Sequence, residues 1–537
     1  MKKLVSRFMA VLMAMTMILS MSMTAFAAEA SKGTLTVNNT VAGKTLDLYQ
    51  IFTATKNGDN VAYTLNDAYE GFFQSKISGA STLTGEALSE KAYEYVKTQV
   101  GTDESNGAAF AKDIMGWILG NTATVEATHT TATTTDTTTV INNLDYGYYV
   151  VYPLGATDTS TAPGNEAVKS VASLVSVTGA DATVNMKSNY PTVVKKVNDK
   201  IADDVNIGDT VTYTLTSKVP DMTGYTSYVF NFKDTLSAGL TFKEITSVTV
   251  GDTTITKVDA GQEANNTYTL THDGQNITIT MNNFLASNKD NTGKEIKVTY
   301  TATLNKDAVT GFDANKNSAT VEYSNKPGTD NKGESEPSIV DVHTFNFTIF
   351  KYYLKGETKT GLANAEFELY KANEAGDAAD TNAKINIAKV KEGEYRQATP
   401  EEAAAEGFKS DVIVSGTDGK VLVKGLDAGT YYLRETKAPE GYNKLLSDIK
   451  VEIKANYDET TGKLTSYSVD YTYNGTTTTG TAITNKDNSP EVAVENKTGA
   501  QLPSTGSKGA LMVTLAGIVL FGALTASKAF GKKKANN

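Results

Sequence analysis

Short runs in which every second side chain is apolar or β-branched recur along this chain, as in Thr210-Val-Thr-Tyr-Thr-Leu-Thr, Glu295-Ile-Lys-Val-Thr-Tyr-Thr-Ala-Thr-Leu and Lys420-Val-Leu-Val. A period of two puts alternate side chains on opposite faces of a strand, and it cannot form the apolar stripe of a helix. Gly, Asn and Asp punctuate the runs, so a mainly β fold of sandwich domains is expected. Helical spacing is confined to the first part of the chain. There Thr84-Gly-Glu-Ala-Leu-Ser-Glu-Lys-Ala-Tyr-Glu-Tyr-Val and Ala108-Ala-Phe-Ala-Lys-Asp-Ile-Met-Gly-Trp-Ile-Leu repeat apolar groups at three- and four-residue steps. Trp117, the single tryptophan, sits in the second of these and is expected to pack in a core.

Two hydrophobic stretches lie outside this pattern. Lys2, Lys3 and Arg7 precede the apolar run from Phe8 to Met23, and Ala25-Phe26-Ala27 has the small-x-small pattern of a signal-peptidase site. Residues 1–28 are therefore expected to be a signal peptide, with the mature chain starting close to Glu29. Near the other end, Leu502-Pro503-Ser504-Thr505-Gly506 precedes an apolar stretch at about 509–527 and then Lys528 and Lys532-Lys533-Lys534. That stretch is long enough for a transmembrane helix of roughly 20 residues, and the lysines would hold its end in the cytoplasm.

The order of motif, apolar span and basic tail resembles the cell-wall sorting signal of Gram-positive sortase substrates. The resemblance implies cleavage between Thr505 and Gly506 and transfer of the Thr505 carbonyl to an amine. Removing the three basic residues of the leader and the five beyond Thr505 takes the formal charge from −11 to about −19. An exported ectodomain that acidic argues against nucleic acid or anionic lipid as partner.

The chain has no cysteine, although exported proteins are free to use disulfides. Some other device must hold it together. His129, His272 and His343 lack the spacing of zinc ligands, and no phosphate-binding glycine loop, nucleophile elbow or paired catalytic carboxylates occur. Neither a metal nor a cofactor is expected, and neither is a conventional enzyme.

Punctuation divides the remaining residues, enough for about three domains. The first is expected at 29–188, with an exposed Thr-rich loop from Thr128 to Thr139. Asn189-Tyr190-Pro191 opens a second at 189–328, a polar linker follows at 329–343, a third domain occupies 344–500, and the sorting signal fills 501–537.

In the third domain, Gly429-Thr-Tyr-Tyr-Leu-Arg-Glu435-Thr-Lys-Ala-Pro-Glu-Gly-Tyr442 resembles the E-box of collagen-adhesin B-type domains and Gram-positive pilins. Phe350-Lys351 and Gly361-Leu-Ala-Asn-Ala-Glu-Phe-Glu-Leu-Tyr resemble the opening strands of that family. The resemblance implies immunoglobulin-like sandwich domains in which a first-strand lysine forms an amide with a last-strand asparagine, promoted by the E-box glutamate. Alternation puts Lys351 on one face with Phe347 and Ile349, Glu435 with Tyr431 and Leu433, and Asn496 with Val492 and Val494. Burial on that face lowers the pKa of an amine and raises that of an acid. A neutral Lys351 could then attack the Asn496 side-chain carbonyl while protonated Glu435 polarises it and shuttles protons. Asn485 also has an apolar residue two before it and is the alternative acceptor; Asn496 is preferred because family members end the last strand just before the sorting motif.

The middle domain has a parallel set. Ile207-Gly-Asp-Thr-Val-Thr-Tyr-Thr-Leu and Phe232-Lys-Asp234-Thr-Leu-Ser-Ala-Gly-Leu-Thr-Phe resemble isopeptide-forming fimbrial shaft subunits. By that analogy Lys195 is the nucleophile, Asp234 the promoting acid and Asn317 the acceptor. Polar Asn198 two residues after Lys196 argues against Lys196 as the inward lysine.

A shaft subunit of this kind must also give a lysine to the sortase, in the family often from a Tyr-Pro-Lys motif. Here Tyr190-Pro191 is followed by Thr192, so the candidate is Lys187, whose strand neighbours Asn185 and Thr183 are polar, with Lys196 as runner-up. The resemblance thus implies the major subunit of a surface fimbria polymerised head to tail. Its partners would be a class C-type pilus sortase, the housekeeping sortase, further copies of itself, minor pilins and peptidoglycan. Any host surface ligand is not legible. The alternative is a monomeric wall-anchored adhesin, which needs no donor lysine.

Overall fold

The computed structural model describes residues 32–101, 104–134, 136–157, 171–186 and 189–498. Contacts divide the chain into two compact units, one running up to Thr344 and including Asn456–Thr465, the other holding Phe345–Ala455 and resuming at Ser466. Both are mainly β, as the alternating runs require.

The N-terminal part of the first unit has two sheets. One orders the strands Thr138–Asp145, Lys32–Asn38 and Ala182–Asn185; the other orders Asn60–Leu65, Leu46–Asn57, Gly147–Pro153 and Ser173–Val177. Against the second sheet lie the helices expected from the sequence. Gly85–Val100 buries Leu88, Ala92, Tyr93 and Val96 on one stripe, and Gly101, at a φ of 51°, ends it where a side chain would be strained. Glu104–Gly120 carries Trp117, whose ring lies 5.8 Å from Phe72 and 6.5 Å from Tyr69, so it is a packing residue.

The rest of this unit is a sandwich. One sheet orders Thr253–Thr254, Leu240–Val250, Glu295–Leu304, Thr210–Lys218 and Val194–Val197. The other runs Ala202–Asp204, Ser338–His343, Asn315–Ser324, Phe230–Leu236, Asn276–Met281, Thr267–Asp273 and Thr256–Lys257. A single core joins them, with Val211, Tyr213, Leu215, Val298 and Tyr300 from the first and Phe230, Phe232, Ile279, Val321 and Tyr323 from the second. Each such side chain contributes about 1.5–3 kcal/mol by leaving water.

The expected linker at 329–343 differs from what folds. Lys332–Glu334 and Ser338–His343 both pair with Asn315–Ser324, and Val340 and Val342 are buried. The polar stretch before Ser338 obscured a short alternating strand, Ser-Ile-Val-Asp-Val-His, that completes the sheet.

The second unit is also built on two sheets. Phe345–Lys355 pairs with Thr358–Gly361, Lys420–Leu426 and, in parallel, Glu491–Glu495. The other sheet centres on Glu366–Ala372, Gly429–Lys437, Ile449–Tyr457 and Leu464–Tyr473. A Thr399 and Glu402 capping box starts the short helix Pro400–Ala404.

Two buried lysine, acid and asparagine pockets

In the second unit, strand period delivers Phe345, Phe347, Ile349 and Lys351 to the interior, and Lys351 is fully buried. Glu435, on the strand Gly429–Lys437 of the other sheet, places Oε1 3.1 Å from Lys351 Nζ. Asn496 follows the last strand, where its backbone amide donates to Tyr352 O at 2.9 Å, and its Nδ2 donates to Glu435 Oε1 at 3.2 Å. The Leu445 amide donates to Glu435 Oε2 at 2.7 Å and fixes the carboxyl group. Lysine, acid and amide therefore converge on one oxygen.

Burial lowers the Lys351 amine to about 8, against the opposing pull of Glu435. A neutral amine is then within reach near neutral pH. The contact from Glu435 is to the Asn496 nitrogen, whereas the sequence reading had the acid on the carbonyl; the Asn496 oxygen is buried without a partner. Turning the amide about its last side-chain bond exchanges the two. Asn485 is elsewhere, exposed in a turn, its Oδ1 accepting from the Asp487 amide and Asn488 Nδ2.

The middle pocket gathers its members from both sheets. Lys195 comes from the edge strand Val194–Val197, opposite Leu215, and is fully buried, while its neighbour Lys196 is exposed. Asp234 and Asn317 come from the adjacent strands Phe230–Leu236 and Asn315–Ser324 of the facing sheet, both also buried. Lys195 Nζ forms a short ion pair with Asp234 Oδ2. Burial lowers the Lys195 amine to about 8, with Asp234 opposing, and burial raises the Asp234 carboxyl above its usual range. Both shifts favour the uncharged pair.

Sequence reasoning missed Tyr300. Its hydroxyl accepts from Lys195 Nζ at 2.7 Å and from Asn317 Nδ2 at 2.7 Å, and donates to Asp234 Oδ2 at 2.8 Å. Tyr213 stacks on it at 5.1 Å between ring centroids, and Lys195 Nζ lies 4.9 and 5.1 Å from the Tyr213 and Tyr300 rings. Tyr300 stands at an inward position of its alternating run, and an inward tyrosine hydroxyl needs a polar partner; that was the available signal.

Lys187, Leu502, Pro503, Ser504, Thr505 and Gly506 lie outside the described residues, as do the expected leader at 1–28 and apolar span at 509–527. Among the described residues no helix is long and apolar enough to cross a membrane, and no three metal-type side chains cluster.

The class that this fold and these pockets define is that of β-sandwich domains with a lysine, an acid and an asparagine gathered in a buried pocket. Residues 350–468 match the family described as SpaA, prealbumin-like fold domain, and residues 207–327 match Gram-positive pilin backbone subunit 2, Cna-B-like domain. The chain thus carries one domain of each of these two families, and the E-box segment lies within the first match. It is 26% identical over 372 residues to the trypsin-resistant surface T6 protein of Streptococcus pyogenes serotype M6, an alignment covering 60% of this chain and 59% of that protein. Over 280 residues it is 29% identical to fimbrial subunit type 2 of Actinomyces naeslundii, covering 49% of this chain and 50% of the relative. The chain thus spans between half and three fifths of these curated relatives. Among solved structures, the T6 backbone pilin of the same S. pyogenes serotype aligns over 88% of this chain and all of that one, with 17% identity and a TM-score of 0.46.

Proposed function

We propose that this chain is the shaft subunit of a covalently polymerised surface pilus, stiffened by Lys351–Asn496 and Lys195–Asn317 isopeptide bonds. The observation that carries the reading is the convergence of Lys351, Glu435 and Asn496 in a buried pocket between the first and last strands of one sandwich. A structural ion pair needs no asparagine at the same oxygen. Relatives that are a surface protein and a fimbrial subunit support the pilus assignment.

In each pocket the proton passes from the ammonium to the acid, and the neutral amine attacks the asparagine side-chain carbonyl carbon. A carbon–nitrogen bond forms, the amide nitrogen takes a proton from the acid and leaves as ammonia, and the proton shed by the new amide nitrogen returns to the acid, which ends protonated. An amide closing a loop of this size restricts the unfolded chain as a long-range disulfide would, by about 4–5 kcal/mol on the loop-entropy estimate. It cannot be reduced, which answers the missing cysteines.

Between subunits, a pilus sortase would acylate itself with Thr505 and Lys187 of the next copy would resolve the thioester, Lys196 being the alternative. A head-to-tail contact that does not close on itself generates a filament. The housekeeping sortase would join the finished polymer to peptidoglycan, leaving it at the cell surface with minor pilins. Co-expression with a pilus sortase tests this: an SDS-resistant ladder of high-mass species, lost in Lys187→Ala, is expected. A single wall-linked species in both would favour the monomeric adhesin.

A further inference from the structure

The two pockets hold different acids, and the difference has a geometric counterpart. Glu435 reaches its asparagine directly, with Asn496 Nδ2 on Oε1. Asp234 is one methylene shorter, and the group in hydrogen-bond contact with Asn317 Nδ2 is the Tyr300 hydroxyl, which in turn binds Asp234 Oδ2. This hydroxyl uses its one donor on Asp234 Oδ2 and both acceptor positions on Lys195 Nζ and Asn317 Nδ2, the nitrogens that would attack and leave. Its ring is fully buried, stacked on Tyr213 and packed 5.9 Å from the Phe242 ring.

Resting on the isopeptide reading above, we propose that Tyr300 is a catalytic residue of the Lys195–Asn317 bond, relaying a proton from Asp234 to the departing nitrogen of Asn317. After the Lys195 ammonium has given its proton to Asp234, the neutral amine attacks the Asn317 carbonyl carbon. Asp234 passes its proton to the Tyr300 oxygen as Tyr300 gives its own to Nδ2. The carbon–Nδ2 bond breaks and ammonia leaves. The proton lost by the new amide nitrogen returns to Asp234, so tyrosine and aspartic acid are both regenerated and no other reactant is needed. In the second unit Glu435 touches lysine and amide itself, and no such relay is required.

The test follows Lys195–Asn317 and Lys351–Asn496 bond formation over time after synthesis of the full chain, by intact mass and peptide mapping, in the native sequence and in Tyr300→Phe. The variant keeps the ring and its stacking and loses only the hydroxyl. Lys195–Asn317 joining is expected to slow by on the order of 10²-fold, the usual scale for a lost acid–base group, while Lys351–Asn496 joining is unchanged. Amide exchange protection of Thr210–Lys218 monitors folding. Joining at the native rate overturns the proposal, as does slow joining with that strand unprotected, which would make the role structural. Absence of the Lys195–Asn317 bond from the native sequence itself would instead refute the isopeptide reading of this pocket.

Discussion

Asn496 directly follows the strand that pairs in parallel with that of Lys351, with Lys351 opposite Val494 and the Asn496 amide donating to Tyr352 O at 2.9 Å. Lys195 and Asn317 come instead from opposite sheets of their sandwich. The same chemistry would therefore tie two strands of one sheet in the second unit and pin two sheets together in the first.

Removing the acceptor in the second unit should expose what the bond contributes. Asn496→Ala is expected to lower stability to denaturant by about 4–5 kcal/mol, the loop-entropy scale, and to lower Tm with it. Asn485→Ala, a change at an exposed turn, should stay within about 0.5 kcal/mol of the native chain. Urea or guanidinium unfolding of the two variants checks the contrast.

The lysine pair Lys195 and Lys196 gives a second contrast. Lys195→Ala removes a fully buried side chain and leaves Asp234 without its ion pair, so a loss of at least about 3 kcal/mol is expected, apart from the lost crosslink. Lys196→Ala changes an exposed residue on the same strand and should be nearly silent for stability. Thermal melts of both variants measure this.

A chain held uncrosslinked by Asn317→Ala should reveal the buried amine through pH. The folded Lys195 titrates at about 8, below the 10.5 of an ordinary lysine, so between those values the unfolded chain binds more protons than the folded one. Stability should rise as pH increases from about 8 to 10.5, by up to roughly 3 kcal/mol. The same background carrying Lys195→Met and Asp234→Asn lacks both titrating groups and should rise less. Unfolding curves across that range decide it.

Mechanics offers an independent readout. With Lys195 joined to Asn317, the residues between them are shielded from tension, while Ser318 to His343 remain on the loaded path. Single-molecule pulling on the native chain should therefore release no contour from 196–316, and Asn317→Ala should add up to about 400 Å at roughly 3.4 Å per residue.

Much of this site was legible because strand period is strict. Lys351, Glu435 and Asn496, and likewise Lys195, Asp234 and Asn317, each stand two residues from buried apolar neighbours, so the sequence alone assigns their faces. Alternation says which way a side chain points and nothing about what it meets. Tyr300 joins Asp234 only because two sheets close on each other, and the choice of Asn496 over Asn485 depends on which segment adds in parallel beside Phe345–Lys355. The strand Ser338–His343 was obscured for another reason: its polar approach has the composition of a linker, and only pairing with Asn315–Ser324 makes it part of the sheet.

Intact mass of the purified ectodomain tests the central claim most directly. The account predicts a mass below that of the sequence by one ammonia for each bond, two in all, with peptide mapping placing them at Lys195–Asn317 and Lys351–Asn496. The full sequence mass would contradict it.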